Sequence, residues 1–220
     1  MKTLISKIKD PGSAITHFIA LVGALLATAP LLIKAYHGDN SSYLGSFAVF
    51  ILSMAALYGA STIYHTFDIS EKVNTLLRKI DHAMIFVMIA GSYTPICIIA
   101  LPKSVGIPLL TTVWIVTIVG TLFKIFWITC PRWLSSAMYI GMGWLAVLAF
   151  SSIMKSLSHA AFIWLLVGGI IYTVGGIIYA LKLPIFKKHT WKNFGNHELF
   201  HCFVMLGSIC HFVLVYNYLA

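Results

Sequence analysis

The sequence predicts an all-α integral membrane protein, a single domain of seven transmembrane helices occupying residues 1–220. Three observations carry the prediction. Hydrophobic residues fill 60% of the 220 positions and charged residues only 10%, a balance that belongs in lipid rather than in water. Seven apolar stretches are each long enough to cross about 30 Å of hydrocarbon as a helix. The 15 basic residues fall mostly in the short connections on one side, as membrane topology requires.

The stretches run approximately 14–36, 44–65, 82–101, 106–128, 133–154, 160–181 and 196–219. The first follows Lys2, Lys7 and Lys9 and contains Ala27-Thr28-Ala29, the outline of a cleaved secretory signal. Pro30 comes next and the apolar run continues to Ile33, so a retained helix is expected. The remaining connections leave no room for a soluble domain. Helices are the spanning form because each satisfies its own backbone in lipid.

Orientation follows from charge. With the N-terminus cytoplasmic, twelve basic residues face the cytoplasm, Lys72, Arg78, Lys79, Lys124 and Arg132 among them. Only Lys34, Lys103 and Lys155 face outward. This asymmetry predicts a cytoplasmic N-terminus and an extracellular C-terminus, with Trp127, Trp133 and Trp191 at cytoplasmic boundaries. Because the net charge of +9 follows topology, it does not imply a nucleic-acid partner. Cys97, Cys130, Cys202 and Cys210 form no C-x-x-C pair and are expected to be reduced packing residues. The glycine pairs 141/143, 168/169 and 175/176 are expected to let helices pack closely.

The chemistry-bearing residues collect in one leaflet. Helices alternate in direction, so His65 ends the second span while Asp81 and His82 open the third. His197 and His201, the histidines of HELFH (197–201), open the seventh. The i, i+4 spacing places both imidazoles on one helix face, where they can share a metal ion. With His65 they form a three-histidine set, which suits Zn2+ and keeps a fourth position for water. Ser61 repeats the i, i+4 spacing beneath His65. Asp81 is placed to accept a proton from that water or to orient a ligand.

Single histidines near a membrane boundary are ordinarily interfacial, and His37, His159 and His189 are read that way. His17 lies at the right depth for the site, in a packing or supporting role. His211 lies ten residues past His201, about 15 Å deeper at 1.5 Å per residue, too far to share the metal. It is expected to line the bundle interior, where an ionisable residue is a functional candidate.

H-E-x-x-H is also the signature of zinc proteases, with Glu198 as the base. The extended protease pattern requires a histidine six residues after His201, and that position is Gly207. Site-2-type intramembrane proteases take an aspartate from a later helix, yet the 19 residues after His201 contain no acid. A protease is therefore disfavoured, and Glu198 is expected to be dispensable.

The segments STIYH (61–65), DHAMIFVMIAGSYTP (81–95), MGW (142–144) and HELFHCFVMLGSICHF (197–212), with SAITHFIALVGALL in the first span, resemble the hemolysin III family. That family groups with the adiponectin and progestin receptors and, more distantly, with the alkaline ceramidases. The resemblance implies a bacterial inner-membrane location, zinc on His65, His197 and His201, roles for Ser61 and Asp81, and hydrolysis of a lipid amide. The long cytosolic extension of the adiponectin receptors is not expected here. Three functions compete: a zinc-dependent hydrolase of membrane lipid amides or esters, a receptor or regulator with structural zinc, and a pore-forming cytolysin. A pore calls for a polar stripe through the bundle, whereas the polar groups here gather at one end.

Overall fold

The computed structural model describes residues 8–181 and 194–220. Lys2, Lys7, His189, Trp191 and the basic residues within 182–193 lie outside the described residues. Those described form eight α-helices and no strand: α1 (Pro11–His37), α2 (Leu44–Thr66), α3 (Glu71–Pro95), α4 (Lys103–Phe126), α5 (Arg132–Gly143), α6 (Phe150–Ser156), α7 (His159–Leu181) and α8 (Asn196–Tyr218). With α5 and α6 counted as one span, seven helices are long and apolar enough to cross a membrane. The protein is an all-helical, seven-span membrane protein.

Two elements depart from expectation. α3 begins at Glu71, eleven residues before the expected start of its span, because Ser70 Oγ accepts the Val73 amide at 3.3 Å and Glu71 sits in the first turn. Hydropathy marks only where this helix enters lipid, so Asp81 lies about three turns into α3 rather than in its first. The fifth span is not one helix. α5 ends at Gly143, and a 3₁₀ segment, Trp144–Ala149, separates it from α6. Tyr93 of α3 meets the freed backbone there. Its hydroxyl donates to Gly143 O at 2.5 Å and accepts the Ala146 amide at 2.9 Å, a repair that such a break at membrane depth requires.

Neighbouring helices pack in sequence order, α1 on α2, α2 on α3 and α7 on α8, and α8 closes back onto α1. Phe47, Phe50, Ile51, Phe86 and Leu214 are buried at the centre. On the outside, Phe126 is 85% and Leu148 78% exposed, as lipid-facing residues are. The four cysteines are free. Lys124, counted above among the loop cations, is fully buried. Its Nζ donates to Ser135 Oγ at 2.5 Å and to Cys130 Sγ at 3.1 Å.

The glycine pairs divide. Gly168, Gly175 and Gly176 lie tight against His211, Phe203 and Ile140, whereas Gly141, Gly143 and Gly169 face open space. The close approach of α2 to α3 depends instead on Gly91, where a Cβ would collide with the Ser53 side chain.

Candidate metal centre

His65, in the last turn of α2, meets His197 and His201, in the first two turns of α8. One ring nitrogen from each lies within 4.8 Å of the other two. His65 and His201 are buried, and His197 is partly so.

The partners of two of these rings determine which nitrogen is free. His65 Nδ1 lies 3.0 Å from Asp10 Oδ2; the carboxylate accepts, so Nδ1 carries the proton. Thr16 Oγ1 gives its own proton to Ser13 O at 2.9 Å, so it accepts from His201 Nδ1 at 3.1 Å. Both imidazoles therefore present a bare Nε2. His65 Nε2 lies 3.2 Å from His197 Nε2, where it accepts a proton from that ring or shares a cation with it. In a tetrahedral zinc site with Zn–N bonds of about 2.0–2.1 Å, ligand nitrogens stand about 3.3 Å apart. The three residues could hold a metal ion, and the orientation of two rings by Asp10 and Thr16 is what metal-binding histidines ordinarily need.

Asp81 and Ser61 are both buried. Both residues, together with His17, His82, His197 and His201, line an internal cavity of about 230 Å³. The rest of its wall is mostly apolar, drawn from α3 and α5 through α8. The cavity reaches His211 and Phe162, well beyond the histidine cluster.

His17 is 3% exposed and stacks on His201, ring centroids 3.5 Å apart and planes 10° from parallel. Neither of its ring nitrogens has a hydrogen-bond partner, and it is not part of the three-membered group. Tyr139 donates to the His82 carbonyl at 3.3 Å. Glu198 has both carboxylate oxygens engaged. Oε2 accepts the Gly195 amide at 2.8 Å, and Oε1 accepts the Ser13 hydroxyl of α1.

Sequence reasoning missed what the start of α1 contributes: Asp10 on His65, Thr16 on His201 and Ser13 on Glu198. A signal was available. The chain has only six acidic residues, and Asp10 shares its end of the bundle with the histidines.

Fold and site together define a seven-span membrane protein with a three-histidine centre, able to hold a metal ion and open to an apolar internal cavity. The chain belongs to the Haemolysin-III related family, whose profile matches residues 5–212. It is similar to the Hemolysin-3 homolog of Bacillus subtilis, 37% identical over 96% of this chain and 94% of that one. It is also similar to Hemolysin-3 of Bacillus cereus, 36% identical over 96% of this chain and 91% of that one. The Adiponectin receptor protein of Drosophila melanogaster is more distant, 26% identical over 76% of this chain and 40% of its own. With its seven apolar helices, the chain is a multi-pass bacterial membrane protein related to the adiponectin receptors.

Proposed function

We propose that the protein is a zinc-dependent membrane hydrolase acting on lipid amides or esters, with its centre near the cytoplasmic leaflet. One observation carries this reading: a three-histidine group, two of whose members, His197 and His201, line an apolar cavity together with Asp81 and Ser61. Three protein ligands leave a coordination position for water or substrate, the pattern of catalytic rather than structural zinc.

Zinc in this position would supply Lewis acidity and a water ionising near neutrality. The chain's own residues do the rest. Asp10 and Thr16 hold His65 and His201 in the tautomer that exposes Nε2. Asp81 takes a proton on a carboxylate oxygen and returns it to the leaving amine or alkoxide. Ser61, on the wall of the same cavity, supplies a hydroxyl to that carboxylate or to a developing oxyanion. The apolar cavity takes the acyl chain and keeps bulk water from the reacting bond.

In the receptor-like alternative, the metal is a staple between α2 and α8, and a closed structural site needs a fourth protein ligand. Among the described residues the group has three members, and His17 stacks on His201 rather than joining them.

The test is release of fatty acid from a panel of ceramides, N-acyl amides and esters by purified, zinc-loaded protein. His197→Ala or His201→Ala should abolish both metal binding and release. No release from any lipid at full metal occupancy overturns the enzyme reading.

A further inference from the structure

At the end of the cavity away from the histidine cluster, Tyr172 and Thr173 line the wall, and neither their hydroxyls nor those bonded to Tyr172 are used by the proposed chemistry. Ser208 gives its proton to Val204 O at 2.9 Å. Tyr58 donates to Ser208 Oγ at 2.5 Å, and Tyr172 donates to the same oxygen at 3.0 Å. Thr173 donates to Gly169 O at 2.7 Å. These hydroxyl protons are spent inside the protein.

His211 completes the pattern. Its Nδ1 lies 2.9 Å from Gly207 O, and a carbonyl only accepts, so Nδ1 carries the hydrogen. Gly168 makes room for this edge of the ring, since a Cβ there would stand 2.6 Å from His211 Nδ1 and Cε1. The ring is 93% buried and lines the cavity. Nε2 is left as a bare acceptor, without a hydrogen bond among the described residues. A bare acceptor reached from the cavity on a mostly apolar wall favours a ligand that brings an O–H or N–H.

We infer that His211 Nε2 forms a second subsite, which takes a hydrogen-bond donor carried partway along a lipid chain, such as a mid-chain hydroxyl. Ten residues of α8 set His211 about 15 Å from His201 along the helix axis, a mid-chain distance from a headgroup held at the metal. The Tyr172 oxygen, whose ring lies 5.3 Å from the His211 ring, adds a second acceptor. A plain hydrocarbon chain leaves Nε2 unmet, and an ether or ketone offers it only another acceptor. The inference rests on the reading of the cavity as a lipid site and adds a preference within it.

The test compares two fatty acids that differ only in a mid-chain hydroxyl, ricinoleic and oleic acid, by titration calorimetry on full-length, metal-loaded protein. Wild type should bind ricinoleic acid roughly three- to tenfold more tightly, the usual effect of one hydrogen bond. His211→Leu should remove the difference, and His211→Gln, which keeps an acceptor, should restore part of it. If the Leu variant does not fold, Gly168→Ala displaces the same ring and should also remove the preference. Equal affinities in wild type, or a preference that persists in both His211→Leu and Gly168→Ala, overturn the subsite. Failure of both acids to bind metal-loaded protein overturns the lipid reading of the whole cavity, whereas equal binding of both overturns the subsite alone.

Discussion

Asp10 holds His65 from two sides. Its Oδ2 accepts the Nδ1 proton at 3.0 Å, and its backbone N–H donates to the His65 carbonyl at 2.9 Å. The residue just before α1 thus caps the end of α2 and aims the imidazole that α2 carries.

This pairing predicts a role for Asp10 in metal affinity. Asp10→Ala should weaken zinc binding by roughly 10- to 100-fold, the usual effect of losing a carboxylate behind a ligating histidine. Asp10→Glu should recover part of the loss. Competition with a chromophoric chelator measures it, and an unchanged affinity would show the contact to be idle.

Removal of any one of His65, His197 and His201 should bring metal retained after dialysis from about one ion per chain to near zero, because two imidazoles make a weak zinc site. His17→Phe preserves the stack on His201 and should keep the metal. Loss of zinc in that variant would make His17 a ligand.

Glu198 should prove structural. Its contacts with Gly195 and Ser13 fasten the start of α8 to α1. Glu198→Ala should cost about 1 kcal/mol or somewhat more, as loss of a helix cap does, read as a lower Tm in detergent. Metal content and any hydrolytic activity should persist. Glu198→Gln keeps an amide oxygen for the Gly195 N–H and should be milder still. A Gln variant that folds and binds zinc but has lost all activity would reinstate a protease-like base.

Gly91→Ala should destabilise by about 1–3 kcal/mol, the range for overpacking a filled contact, because the new methyl group meets Ser53 across the α2–α3 contact. Ser53→Ala in the same chain should return part of the loss. Thermal unfolding of single and double variants reads both.

The charge asymmetry predicts an extracellular C-terminus. Alkaline phosphatase fused after Ala220 should be active in cells, and green fluorescent protein at the same place should be dark. The reverse pattern would move the histidine cluster to the outer leaflet.

The spans were legible because a membrane helix must be apolar along about 20 consecutive residues, a property of each segment alone. The break between α5 and α6 was not, because it is sustained by Tyr93 from a different helix. The first eleven residues of α3 were missed because charged turns of helix outside lipid carry no hydropathy signal. The grouping of His65, His197 and His201 could be anticipated, since alternating directions bring their helix ends to one side of the bundle. Asp10 could be placed at the histidines' end of the bundle but not on His65, and Thr16 sits on an α1 face whose rotation only packing determines.

By itself the sequence determined the helical class, the number of spans and the end of the bundle where the histidines meet, since apolar length and chain direction are local properties on which the bilayer acts segment by segment. The tertiary structure decided which nitrogen of His65, His201 and His211 carries its hydrogen, which glycines are contacts, and that His211 shares a cavity with His197 and His201. Those depend on the rotation and approach of helices distant in sequence, which side-chain packing and the pairing of buried polar groups settle.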